Sequence, residues 1–331
     1  METPLKQIAL STQRYSLGGG VARTIHTTIS AINNWAHLDI FAASSLAVPD
    51  TLNTTVHITD PSSKNYEAYC SGKEYDLYIY LASRKPVYLG NILNSTQQLV
   101  CPNGNYIYDI EDRFDYVWCQ SPDNYKYFDT KSKGILLPPA ITLPVTHVCP
   151  IEGLPDNFYL TVFNPYKDIR NYPDGEKVSK GYDVIEEIAD SLPHPLIWCS
   201  TLGEKNISSY LKNHPKIILV YGISQEKLYY LYLKCNTYVS FSREESFGWA
   251  LADAIVYDKP IVSRNIGIRT YFSLQQEGMY LYSSTEELRQ LIKQAEFSSV
   301  TYDCDIFYPE VFSKTLKNLV EGQNVNVDKA E

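Results

Sequence analysis

The sequence has no long run of lysine and arginine and no excess of positive charge. Its 331 residues include 29 Lys and Arg against 38 Asp and Glu, which gives a formal net charge of −9. Proteins that bind nucleic acid usually carry a basic face that neutralises phosphates. The charge balance therefore disfavours a nucleic-acid partner.

The chain also lacks any apolar segment of membrane-spanning length, and its first stretch, METPLKQIALSTQ, has too short an apolar core for a signal peptide. Paired cysteines are missing as well, because the seven cysteines stand singly and no CxxC spacing occurs. An odd number of scattered cysteines is typical of a reducing compartment. These absences predict a cytoplasmic protein whose contact with membranes is at most peripheral.

Short apolar runs do alternate with turns and helix-period segments along the whole chain. In the first half, strands are predicted at 6–10, 38–42, 76–81, 98–101, 116–119 and 133–137, with a helix at 21–33. In the second half, strands are predicted at 158–163, 195–199, 217–221, 237–241 and 260–263, with helices at 182–191, 225–234 and 247–257. Strands and helices that alternate at these lengths indicate parallel sheets with right-handed crossovers.

The proline-rich stretch 138–155 separates the two blocks. We therefore expect an α/β protein of two doubly wound, Rossmann-like domains that face a cleft, one at residues 1–150 and one at 151–308. Ligands of such sheets bind at the carboxyl ends of the strands, so the cleft is the predicted site.

The segment Ser242–Pro260, SREESFGWALADAIVYDKP, carries the clearest chemistry. A buried strand precedes it, and a helix is predicted to open at Phe247 and Gly248, where backbone amides and the positive end of the helix dipole favour a diphosphate. Gly248 would let the backbone approach an anion closely. The carboxylates of Glu245 and Asp253 are suited to sugar and ribose hydroxyls. The alternative is an acidic helix start that serves only as a cap.

This segment resembles glycosyltransferase family 4, whose members have the two-domain GT-B fold. The family signature is a Glu, a Phe-Gly, a second acid eight residues after the first, and a Lys-Pro before a buried strand. Here the frame is Glu245, Phe247-Gly248 and Asp253. The resemblance implies that Glu245 contacts the donor sugar, that Asp253 contacts the ribose, and that the amides around Phe247 contact the phosphates.

Other segments fit the same family. Lys180-Gly181-Tyr182-Asp183 resembles the family's Lys-Gly-x-Asp, whose lysine contacts the donor diphosphate. Tyr221-Gly222 resembles the strand end that lines the base pocket. Residues 309–331 resemble the C-terminal helix that crosses back onto the first domain.

In the first domain, a run of three glycines after the first strand resembles the family's loop that faces the donor phosphates and the acceptor. Gly19 and Gly20 belong to that run, and Arg23 and His26 follow on the helix. A triple glycine is also typical of a mobile turn, and a lone histidine is often a structural residue.

The candidate catalytic residues are Glu245, Lys180 and His26. The candidate donor-binding residues are Gly19, Gly20, Arg23, Asn164, Lys180, Tyr221, Gly222, Glu245, Ser246, Phe247, Gly248 and Asp253. The expected donor is a UDP- or GDP-sugar, and the resemblance implies that neither a metal nor another cofactor takes part.

Three departures from the family pattern stand out. The Gly-Arg after the first strand of the second domain is absent, because Asn164 stands there, and the cation would come from Lys167, Arg170 or nothing. The acceptor-side histidine is replaced around residues 102–105, and the second acid is Asp253 instead of Glu. These departures leave two alternatives open, a weak enzyme or an inactive sugar-nucleotide-binding or partner protein.

The resemblance implies transfer of a glycosyl group, with retention, to a hydroxyl of a glycan, lipid-linked or protein acceptor. A glycosidase would need paired carboxylates, and its candidates are Asp109, Glu111, Asp112 and Asp115. That cluster is more simply a polar loop. Residues 303–305 have the spacing of a DxD metal-binding motif, but they are likewise interpreted as a solvated loop.

Overall fold

A computed structural model describes residues 5–12, 20–32, 34–42, 54–58, 72–82, 94–102, 114–128, 134–141, 148–165, 169–172, 175–201, 203, 206–294, 297–298, 300–323 and 325. The chain divides into two compact units, Met1–Thr142 with Asp305–Glu331, and Leu143–Cys304. Within the described ranges, no helix has the length and apolar character that crossing a membrane requires.

The first unit is built on a parallel sheet of seven strands. Its elements along the chain are β1 (Lys6–Thr12), α1 (Gly20–Ile32), β2 (Ala36–Ala42), β3 (Thr54–Ile58), β4 (Glu74–Tyr75), β5 (Leu77–Ala82), β6 (Asn94–Ser95), β7 (Gln98–Pro102), β8 (Tyr116–Cys119), α2 (Pro122–Phe128) and β9 (Gly134–Leu136). The sheet order is β3-β2-β1-β5-β7-β8-β9, and β4 pairs separately with β6. Both faces of such a sheet are covered, which explains why its strands are continuous apolar runs.

The second unit is built on a parallel sheet of six strands. Its elements are β10 (Tyr159–Val162), β11 (Ile169–Tyr172), β12 (Gly175–Val178), α3 (Tyr182–Ile188), β13 (Leu196–Ser200), α4 (Ser209–Asn213), β14 (Ile217–Tyr221), α5 (Gln225–Lys234), β15 (Thr237–Val239), α6 (Trp249–Val256), β16 (Ile261–Ser263), β17 (Met279–Leu281) and α7 (Thr285–Gln294). The sheet order is β14-β13-β10-β15-β16-β17, and β11 pairs with β12 as an antiparallel hairpin.

The last helix, α8 (Pro309–Val320), belongs to the core of the first unit. The ring of Phe312 lies 5.4 Å from that of Trp118, centroid to centroid. Nε1 of Trp35 also donates to Oγ of Ser313 over 3.0 Å. A proline at the first helical position favours this start, since its fixed φ suits a helix and its missing N–H is not needed there.

The predicted alternation of strands and helices is confirmed, and the strand at 217–221 and the helix at 225–234 have the predicted bounds. The helix expected at 247–257 begins later, at Trp249. Gly248 has a φ of 85°, a left-handed conformation that a right-handed helix cannot contain. The β11–β12 hairpin between β10 and α3 was not predicted.

Candidate functional site

In the second unit, the order of the strands reverses between β10 and β15. Strands β13 and β14 follow β10 on one side, whereas β15, β16 and β17 continue on the other. Doubly wound sheets bind ligands outside the carboxyl ends of the strands at such a point. The segments that leave these two strand ends are residues 163–165 and residues 240–248.

A half-buried ion pair joins two of the predicted site residues. Nζ of Lys180 donates to Oε1 of Glu245 over 2.5 Å, and the two side chains are 30% and 21% exposed. Glu245 lies in the loop after β15, while Lys180 lies between β12 and α3. Folding therefore brings together a cation and a carboxylate that are 65 residues apart in the chain.

The start of α6 follows the residues predicted to bind phosphate. Phe247 is buried, and its carbonyl accepts a hydrogen bond from the amide of Ile268. Gly267 (φ 54°) lies behind the same carbonyl, which a Cβ at that position would strike. No side-chain bond caps α6 at Gly248, and the first turn of this helix contains no acid. The positive end of its dipole favours an anion at this position.

The second predicted acid, Asp253, lies inside α6 with 6% of its surface exposed. Burial raises the pKa of Tyr238 well above its usual value, and the negative charges of Glu245 and Asp253 raise it further. Both carboxylates therefore lie within electrostatic range of one buried phenol. At the end of β14, Gly222 is exposed and has a φ of 59°.

Asn164 connects the ends of two neighbouring strands. Its Oδ1 accepts hydrogen bonds from Oγ of Ser200 at 2.9 Å, the amide of Thr201 at 2.9 Å and Oγ1 of Thr201 at 3.0 Å. These contacts hold the loop after β10 against the loop after β13. Where the resembled family has a cation, this chain therefore has an amide that also stabilises the strand ends.

The remaining site predictions lie in the first unit. Gly20 is the first residue of α1, and Arg23 and His26 are half-buried on that helix. Burial lowers the pKa of His26, which favours the neutral imidazole near pH 7. Gly19 lies outside the described residues.

The alternative acidic sites are only partly described. Asp115 accepts a hydrogen bond from the amide of Gln98 at 2.8 Å, a structural role at the start of β7. Asp109, Glu111, Asp112, Lys167 and residues 103–105 lie outside the described residues. In the part of the chain that the structure describes, no group of three or more His, Cys, Asp or Glu side chains is arranged to hold a metal ion.

One site contact was not predicted from the sequence. The guanidinium of Arg243 makes two hydrogen bonds to the carboxylate of Asp183, at 2.8 and 2.9 Å. Arg243 stands two residues before Glu245, and Asp183 stands three residues after Lys180. The sequence shows that each of these residues lies close to a predicted site residue. It does not show that they contact each other, because they are 60 residues apart in the chain.

Several solved structures are similar to this chain over almost its whole length. Anabaena HepE in complex with UDP and glucose is 13% identical, with 95% of this chain and 99% of that chain covered at a TM-score of 0.69. Sucrose-phosphate synthase from Thermosynechococcus elongatus is 15% identical, with 96% and 94% covered at 0.64. WaaG, a glycosyltransferase involved in lipopolysaccharide biosynthesis, is 12% identical, with 96% of each chain covered at 0.61.

No protein-family model matches the chain, and no curated protein sequence matches it either. At identities this low, the structural likeness establishes the fold alone. The two parallel sheets and the extent of the match show that the chain has the GT-B fold. The expected fold class is therefore confirmed.

Proposed function

We propose that this protein is a family 4 glycosyltransferase that moves a sugar from a nucleoside diphosphate sugar to an acceptor hydroxyl. The observation that carries the proposal is the Lys180–Glu245 pair, which lies just before the start of α6 at the strand reversal of the second unit. A structural neighbour with the same fold was solved with UDP and glucose, which supports a nucleotide-sugar donor.

Each group in this arrangement suits one part of such a donor. The ammonium of Lys180 and the amides around Phe247 and Gly248 would stabilise the negative charge of the leaving diphosphate. Preorganised donors in comparable anion sites contribute roughly 3 kcal/mol each. Glu245 would accept hydrogen bonds from the sugar hydroxyls, and Asp253 would hold the ribose.

The proposal includes retention of anomeric configuration, no requirement for a metal, and an acceptor hydroxyl on a glycan, a lipid-linked sugar or a protein. His26 is proposed to act on the acceptor side as a neutral imidazole, in keeping with its lowered pKa. A sugar-nucleotide-binding partner protein is the second candidate. The observation that favours it is the amide of Asn164 at the position of the family's cation.

Single substitutions in the ion pair test the proposal. In the free protein the Lys180 ammonium lies against Glu245, so a diphosphate must compete with that carboxylate. Glu245→Gln is therefore expected to bind UDP as tightly as the wild type or up to about fivefold more tightly, since an ion pair that solvent reaches contributes about 1 kcal/mol. Lys180→Gln should bind UDP at least about tenfold more weakly. Both variants should lose donor turnover.

The matched control is Glu244→Gln, which removes one carboxylate next to the site but outside the family frame. It should keep the UDP affinity and turnover of the wild type. Isothermal titration with UDP and GDP gives the affinities, and release of the nucleotide from UDP- and GDP-sugars gives the turnover. A wild type that binds UDP or GDP yet never releases it from a sugar donor would establish the partner-protein alternative.

A further inference from the structure

A second, stronger ion pair joins the first turn of α3, just after Lys180, to the loop that carries Glu245. Nη1 and Nη2 of Arg243 donate to the two carboxylate oxygens of Asp183, at 2.8 and 2.9 Å. The Arg243 side chain is 10% exposed and that of Asp183 is 28% exposed. Bidentate pairs of this kind are stronger and more directional than single ion pairs, and a lysine cannot reproduce them.

Backbone contacts fix the same two loops at neighbouring positions. The amide of Arg243 donates to the carbonyl of Ser179 over 2.8 Å. Gly181 has a φ of 67° and packs so closely on the carbonyl of Phe241 that a Cβ at that position would strike it. The loop before α3 therefore rests directly on the loop after β15.

A buried tyrosine supports the loop after β15. The hydroxyl of Tyr282 donates to the carbonyl of Ser240 over 2.8 Å. Burial raises the pKa of Tyr282 to about 12, and the opposing charges of Arg243 and Asp183 both act on it. The loop that carries Glu245 is therefore also held by a buried side chain that follows β17.

We propose that Arg243 and Asp183 form a clamp that positions Lys180 and Glu245 for the donor diphosphate sugar. The inference rests on the proposed function for the identity of that ligand. Both Asp183 oxygens are engaged by Arg243, so Asp183 acts as a positioning residue through Lys180, and Arg243 acts in the same way through Glu245. Loss of either partner should release the Lys180 loop while the sheet stays folded.

The first test measures Lys180 without any nucleotide. Trace acetylation followed by mass spectrometry reports the reactivity of each lysine, and the exposed Lys227 serves as the internal reference. In the wild type, Lys180 should react slowly because Glu245 holds its ammonium. In Asp183→Asn and Arg243→Lys, its reactivity should rise severalfold, while Glu286→Gln, which breaks the exposed pair with Arg289, should leave it unchanged.

The second test measures UDP affinity in the same variants. Asp183→Asn and Arg243→Gln should each weaken UDP binding about tenfold, and the double variant should be no worse than either single one, because the two residues act as a unit. Thermal melting shows whether each variant is folded, and Arg243→Lys is the conservative substitution should another variant unfold.

Unchanged Lys180 reactivity in folded Asp183→Asn and Arg243→Lys overturns the clamp, whatever the nucleotide affinity. A wild type that binds neither UDP nor GDP overturns the proposed function instead. In that case the acetylation rates still decide whether Arg243 and Asp183 position Lys180.

Discussion

At the candidate site, the charge state and contacts of each residue depend more on its neighbours than on its residue type. Lys180 and Glu245 largely neutralise each other in the free protein, so the donor would meet a site whose charges are already paired. Asp253 is buried within α6, and Asn164 holds two strand ends. In the first unit, partial burial lowers the pKa of His26 and so favours its neutral form near pH 7.

The lowered pKa of His26 predicts a pH dependence of stability. Below its ordinary pKa of about 6.5, the unfolded chain binds a proton at His26 that the folded chain resists, so the free energy of unfolding falls as the pH falls. His26→Gln should reduce this loss. Urea unfolding of both proteins at about pH 7.5 and about pH 5.5 measures the difference. Equal losses in the two proteins would contradict the prediction.

At the scale of elements, the site depends on loops whose backbones pack directly against each other, with no room for a side chain at the contact. The loop before α3 and the loop after β15 meet at Gly181 and Phe241, and the turn at Gly267 supports Phe247 from behind. Glycine is required at these positions for two reasons, a positive φ and a neighbouring carbonyl. In the Lys-Gly signature, the glycine therefore has a packing role in addition to the charge that the lysine supplies.

Two alanine substitutions separate these reasons. Gly222 and Gly181 have similar φ values, 59° and 67°, but only Gly181 has a backbone neighbour where the Cβ would go. Gly222→Ala should cost about 1 kcal/mol of folding free energy, from the left-handed conformation alone. Gly181→Ala should cost at least about twice as much. Urea unfolding measures both, and equal costs would show that the loops separate easily.

At the scale of the whole molecule, the first unit is discontinuous in the chain. Its core includes residues of α8, which follow the entire second unit, and Phe312 packs on Trp118 within it. The second unit has a separate core of its own. The last helix thus packs into the core of a unit whose strands all precede the second unit in the chain.

Phe312→Ala tests this dependence. Removing a buried phenylalanine ring should cost about 3–5 kcal/mol, and the cost should fall on the first unit. Native-state hydrogen exchange should show weaker protection of β1, β2 and β5, with much smaller changes in β10 and β13. The neighbouring Val311, 38% exposed, supplies the control, and Val311→Ala should change stability by less than about 0.5 kcal/mol.

Local patterns in the sequence predicted all but one strand of each sheet, β3 in the first and β17 in the second. Strand 217–221 and helix 225–234 could be predicted because periodicity and caps are carried by adjacent residues. Strand β3 and the β11–β12 hairpin were missed, since their short, polar segments have no clear apolar period. The start of α6 was predicted two residues too early because the sequence does not reveal the left-handed conformation of Gly248.

By itself, the sequence determined the parallel α/β class, the strand–loop–helix frame around Glu245 and the resemblance built on it. Only the tertiary structure decided that Lys180 lies on Glu245, that Arg243 joins Asp183, and that Phe312 completes the first core. The reason is physical. Periodicity fixes which face of an element is buried, but contacts between distant segments depend on the order in which strands pair, and a periodic pattern leaves that order open.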